Sequence, residues 1–328
     1  MNLQKLVFLF SVIAFISFSC QNEKKTATNT ERTSEEKIEK ISSKNKIFTS
    51  PLGKKLPVST PSEKMLELYE KAKQDFSKKP QDLENIIWLG RRIAYLGKYE
   101  EAINIYSDGL KVFPNEPRLY RHRGHRYISI RKFDEAIVDF EKATELIKGK
   151  ENQIEQDGLP NELNIPISTL HGNIWYHLGL AYYLKHDFKK AFSAYQNCRK
   201  VGSNDDNIVS STHWLFMIQS RLGNHELAKE QLKPIRDSMK IIENHSYFQL
   251  CKFYKKMISI KDMMQDDGTP AGDAVKYGLA NWHFYNGDGE QAKLDLEKIL
   301  EGKSWSSFGY IAAEVDYLEH FFQEGKEE

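Results

Sequence analysis

Apolar and polar positions between residues 63 and 322 follow a helical period broken by short turns. Leu89, Gly90, Ile93 and Ala94 fall at i, i+1, i+4 and i+5, which makes one apolar face with a glycine where two helices can cross closely. Gly97-Lys98 interrupts that stripe, Ala102, Tyr106, Gly109 and Leu110 form a second one, and Pro114 ends it. The order predicts two antiparallel helices joined by a tight turn. It then returns: Ala102 and Ala136 stand 34 positions apart, as do Pro80 and Pro114, Gly90 and Gly124, and Tyr106 and Phe140. A period of this size marks stacked hairpins, none of which buries its apolar face alone.

Later segments keep the frame with varying fidelity. Trp175-Leu178-Gly179-Tyr182-Ala191-Tyr195-Cys198 is the fullest copy, whereas Leu215-Gly223-Ala228-Leu232 and Leu279-Ala280-Gly287-Ala292-Leu296 lose the aromatic marks. The pattern resembles the tetratricopeptide (TPR) motif, with its order W/Y, LG, Y, A, F, A, P. On the runs Trp88-Leu89-Gly90-Arg91-Arg92, Arg118 through Tyr127 and Ile242-Glu243-Asn244-His245 it is also similar to a group of bacterial TPR proteins with no assigned activity. The resemblance implies an all-α, right-handed solenoid over residues 61–328, with hairpins at about 83–116, 117–148, 172–203, 209–238 and 273–302. Helical caps are expected at both ends: Met65 to Phe76 behind an N-cap at Ser62, and Tyr310 to Phe322, whose Glu314, Asp316 and Glu319 suit a solvent face. Two stretches break the period. The first, around 149–171, is long enough to line or cover a groove. The second contains an additional helix from Ile241 to Met257.

The N-terminus sets an expectation of compartment. Lys5 precedes an apolar run, Leu6 to Phe18, that is short for a bilayer span of roughly 20 residues. Ser17-Phe18-Ser19-Cys20 resembles a bacterial lipobox, which implies a signal peptide over 1–19, acylation of Cys20 and a place in the outer membrane, since no Asp follows the cysteine. Residues 20–60 read as a polar tether. The net charge of +1 gives no reason to expect nucleic acid. Beyond Cys20 only Cys198 and Cys251 remain, without CxxC spacing, so a disulfide framework is not expected.

Candidate chemistry is sparse. No P-loop, GxGxxG or nucleophile motif is present, and the histidines lie scattered over separate hairpins, so neither an enzyme, a cofactor nor a metal site is expected. In the TPR resemblance the first helix of each hairpin lines the concave surface. That places Arg91, Arg118, Arg121, His125, Asn173, Tyr176, His213, Tyr277 and Asn281 in the groove. The arginines would make a cationic patch for an acidic or carboxylate-bearing segment of a protein partner. Two alternatives stand beside this: glycan stacking on Tyr176, Tyr183, Tyr277 and Phe284, and an enzyme with His125 or His213 as base. Arg123 sits where the repeat normally buries a Leu, so it requires a partner.

Overall fold

The computed structural model describes residues 48–58, 60–263 and 270–322. The expected signal, Cys20 and most of the tether lie outside them. Among the described residues, thirteen α-helices follow one two-stranded antiparallel hairpin, β1 (Phe48–Thr49) and β2 (Lys55–Leu56). The helices are α1 (Glu63–Lys78), α2 (Leu83–Tyr95), α3 (Tyr99–Val112), α4 (Pro117–Ser129), α5 (Phe133–Leu146), α6 (Leu170–Leu184) and α7 (Phe188–Val201). Then come α8 (Asp205–Arg221), α9 (His225–Gln231), α10 (His245–Tyr254), α11 (Pro270–Tyr285), α12 (Gly289–Leu300) and α13 (Phe308–His320).

Several helix starts are chemically marked. Ser62, Asp82, Thr169, Asn204 and Ser307 accept a backbone N–H from the first turn of α1, α2, α6, α8 and α13. The two helices of each hairpin pack on each other, and first helices of neighbouring hairpins touch: α2 with α4, α4 with α6, α6 with α8, and α8 with α11. In three hairpins the close crossing is a glycine facing an aromatic ring: Gly90 on Tyr106, Gly124 on Phe140 and Gly179 on Tyr195.

The stack does not end in two free faces. Helix α13 packs on α11, α12 and α6. The segment before it carries Trp305 back to the β1–β2 hairpin, where its indole stacks on Phe48 at 5.6 Å and donates to the Pro57 carbonyl at 2.7 Å. The expected solvent face of α13 is therefore corrected. Glu319 is exposed, but Glu314 and Asp316 are buried at 0% and 3% relative exposure. Glu314 meets Arg131 at 2.8 Å, and Asp316 meets Arg221. Arg131 and His186 both occupy the left-handed turn position that glycine fills in three other hairpins (Gly97, Gly223, Gly287). Each uses its side chain to hold α13, Arg131 through Glu314 and His186 through Asp316 at 3.1 Å.

Cys198 and Cys251 are buried free thiols. Burial pushes the Cys198 thiol up to about 12, so it stays protonated and inert.

Candidate functional site

The segment between α5 and α6 is an extended strap laid over the first helices. Glu155 N–H donates to the Ser168 carbonyl and Leu170 N–H to the Gln153 carbonyl, so the strap's two ends pair with each other. Its middle is gripped from outside. Arg91 Nη1 donates to the Gln156 carbonyl at 2.9 Å, Arg92 Nη1 to the Gly158 carbonyl at 2.7 Å, and Asn204 Nδ2 to the Ile167 carbonyl at 2.9 Å. The strap thus spans from α2 to α8 and covers the intervening first helices.

From the paired ends of the strap, Glu155 enters the predicted cationic patch. Its carboxylate lies 3.3 Å from Arg121 Nη2 and 3.5 Å from His122 Nε2, and it accepts from Asn173 Nδ2 at 2.5 Å. Arg121 also contacts His122 Nδ1 at 2.8 Å, while its Nε is buried with no partner. Burial lowers the Arg121 pKa and Glu155 opposes that shift. Burial and the nearby arginines hold His122 and His125 well below the ordinary imidazole range, so both are neutral at pH 7. His125 stands ring to ring with His177 at 4.5 Å and with Phe308 at 5.3 Å, the latter delivered by the start of α13.

The other predicted groove residues are engaged by the chain itself. Arg118 pairs with Glu84 and Glu116. Tyr176 accepts from Trp214 Nε1 at 2.8 Å and meets the Tyr247 hydroxyl at 3.1 Å. His213 is buried, stacked on Tyr247 at 4.6 Å, with Nδ1 unpartnered. Tyr277 donates to Asp316 at 2.8 Å, and Asn281 Nδ2 donates to Tyr183 at 2.5 Å. Tyr183, Tyr277 and Asn281 are buried, so the expectation of an open groove surface at these positions is corrected: α13 fills the space they face. That also removes the stacking platform that a glycan would need there. Arg123 has its required partner, a two-pronged pair with Asp139 at 2.8 and 2.7 Å.

His186, Asp316 and His320 bring ligand-type atoms within 4.8 Å of one another. Both Asp316 oxygens are already taken, one by Arg221 and His186 and the other by Tyr277. A guanidinium against the carboxylate makes this a poor cation site.

The sequence did not reveal Glu155, because the strap has no period from which to place it. A signal was available for α13: the unbroken small and apolar run Gly309-Tyr310-Ile311-Ala312-Ala313 belongs to a helix covered on more than one side.

Comparison with known proteins bears on one hairpin above all. Residues 117–149 match the tetratricopeptide repeat. A cattle (Bos taurus) protein, the BBSome complex member BBS4, is 24% identical over 153 residues, which cover 47% of this chain. The chain spans about a quarter of the length of that curated relative. Among solved structures, MamA from Desulfovibrio magneticus RS-1 superposes with a TM-score of 0.41 at 20% identity, over 52% of this chain and 84% of its own. YrrB, described as a TPR protein with an unusual peptide-binding site, gives 0.40 at 17% identity, over 74% and 98%. The matched stretch is helices α4 and α5, which carry Arg121, Arg123 and His125.

Proposed function

We propose that the chain is a non-catalytic protein-binding scaffold of the cell envelope, held to the outer membrane through an acylated Cys20. Its cationic site on α4 and α6 takes an extended acidic segment of a partner. One observation carries this reading: the Arg121, His122 and Asn173 cluster already holds a carboxylate on an extended strand, that of Glu155. The strap is then an internal competitor, and a partner segment binds by taking its place. Such exchange is feasible because the strap's grip is made of carbonyl and carboxylate contacts, while its apolar side chains Ile154, Leu159, Leu163 and Ile165 remain exposed. Little burial is lost when it lifts.

The test is fluorescence anisotropy of a labelled glutamate-rich decapeptide with the full chain. Replacing residues 153–166 by a Gly/Ser linker should tighten binding at least tenfold, and adding Arg121→Ala to that variant should abolish it while circular dichroism stays helical. A linker variant that binds no better than the parent sinks the reading. The anchor is tested apart: a fatty-acid probe should label the full chain and not a Cys20→Ser variant, which should leave the membrane fraction.

A further inference from the structure

Between the strap, α6, α8 and the loop before α10 lies a cavity of about 290 Å³, roughly the size of a monosaccharide-class compound. Its lining contains the carboxylates of Asp206 and Glu243 and no Lys or Arg. Asp206 is committed to structure, since it accepts the backbone N–H groups of Ile242, Glu243 and Asn244 at 3.0, 2.9 and 2.8 Å. Glu243 is not committed in this way. It takes a hydrogen bond from Asn161 Nδ2 at 2.6 Å and makes no ion pair among the described residues. Glu243 is exposed at the cavity's edge, and partial desolvation with Asp157 and Asp206 nearby holds its carboxyl above the usual range. On the same lining, the Asn207 side-chain carbonyl is buried with no partner, its amide donating to the Cys198 carbonyl at 3.3 Å. The unpartnered Asn207 carbonyl and the Glu243 carboxylate, which has one hydrogen bond and no counter-charge, are both acceptors. The rings of Tyr176, Tyr247 and Phe308 complete the wall.

This combination discriminates among ligands. An anion is repelled, and a neutral polyol satisfies the acceptors while leaving the carboxylate without a counter-charge. A primary ammonium supplies three donors and a positive charge, and aromatic faces attract it. We propose that this cavity binds a small primary ammonium compound, an amino sugar or a short diamine, with Glu243 as counter-ion and the Asn207 carbonyl as second acceptor. The site goes beyond the protein-binding reading above, since it needs no partner chain.

Isothermal titration of the full chain with glucosamine and glucose, and with putrescine and 1,4-butanediol, decides the matter. At least one amine should bind at least tenfold more tightly than its neutral counterpart, and which one does so identifies the source. Glu243→Gln should cost that amine at least tenfold, whereas Glu226→Gln, on the exposed face of α9, should leave binding unchanged. Should Glu243→Gln disturb folding, the amine-against-neutral comparison on the parent chain still decides. The proposal is overturned if neither amine binds, if each neutral compound matches its amine, or if a folded Glu243→Gln chain binds as before.

Discussion

At the scale of single residues, the repeat depends on a glycine opposite a ring sixteen positions later. A Cβ on Gly179 would lie 2.7 Å from ring carbons of Tyr195, and one on Gly90 2.4 Å from Tyr106. Both rings are buried, so neither can swing away. Ala in a helix gains about 1 kcal/mol over Gly, but forcing a methyl against a packed ring costs about 1–3 kcal/mol. Gly179→Ala should therefore destabilise the protein despite its better propensity, as read by urea denaturation. Adding Tyr195→Leu should restore most of the loss, because the fifth hairpin is built that way, with Ala280 and Leu296 in the same two slots. A Gly179→Ala chain more stable than the parent would refute the packing argument. These positions were legible in the sequence because they recur. Arg123 was legible for the opposite reason, a charge standing in an apolar slot, and Asp139 answers it.

At the scale of elements, the turns of the second and third hairpins differ from the rest. Arg131 (φ 63°) and His186 (φ 56°) adopt the backbone conformation that elsewhere belongs to glycine. A non-glycine there costs about 1 kcal/mol, so Gly normally stabilises such a site. Arg131→Gly should do the reverse. It strands Glu314, which is wholly buried, and removing one member of a buried pair costs about 3–5 kcal/mol. Lys256→Gly, at the same kind of φ (62°) but exposed, should be neutral or stabilising. Equal effects in denaturation midpoints for the two variants would show that the Arg131 side chain does not hold α13. The insertion at 149–171 was legible as a segment able to cover the groove, but neither the Arg131–Glu314 contact nor the entry of Glu155 could be read from the chain. Arg131 and Glu314 are 183 residues apart, and periodicity reports which face of a helix is apolar, not which distant element comes to cover it. Charged residues on α13 looked like a solvent face because their partners, Arg131, His186 and Arg221, belong to hairpins far away in the sequence.

At the scale of the whole molecule, the interior holds imidazoles that must stay neutral. His177 is pushed down to about 3 by burial and by Arg121, against the Asn173 carbonyl, and His213 to about 3 by burial. In the unfolded chain both take up protons below about pH 6.5, whereas in the folded protein they do so only near pH 3. The unfolded state binds more protons in that window, so stability is complete above about pH 7 and falls as pH drops from 6.5 toward 3. Thermal unfolding followed between pH 4.5 and 7 should show this decline. His213→Phe keeps the stack on Tyr247 and removes one titrating group, so its Tm should fall less steeply over the same range. An unchanged slope would exclude His213 as a source of the acid sensitivity.

The contact between Trp305 and the first described residues has a consequence for how the molecule comes apart. An open stack of repeats loses its terminal units first, each fraying with little help from the far end. Here the indole of Trp305 bridges Phe48 and Pro57, and the adjoining backbone carbonyl of Trp305 accepts from Arg131 at 2.8 Å. Neither the β1–β2 segment nor the segment before α13 can loosen without disturbing the other and the second hairpin. A force applied through the β1–β2 hairpin is thus shared with α13 from the outset, and the first rupture should release both elements in a single event.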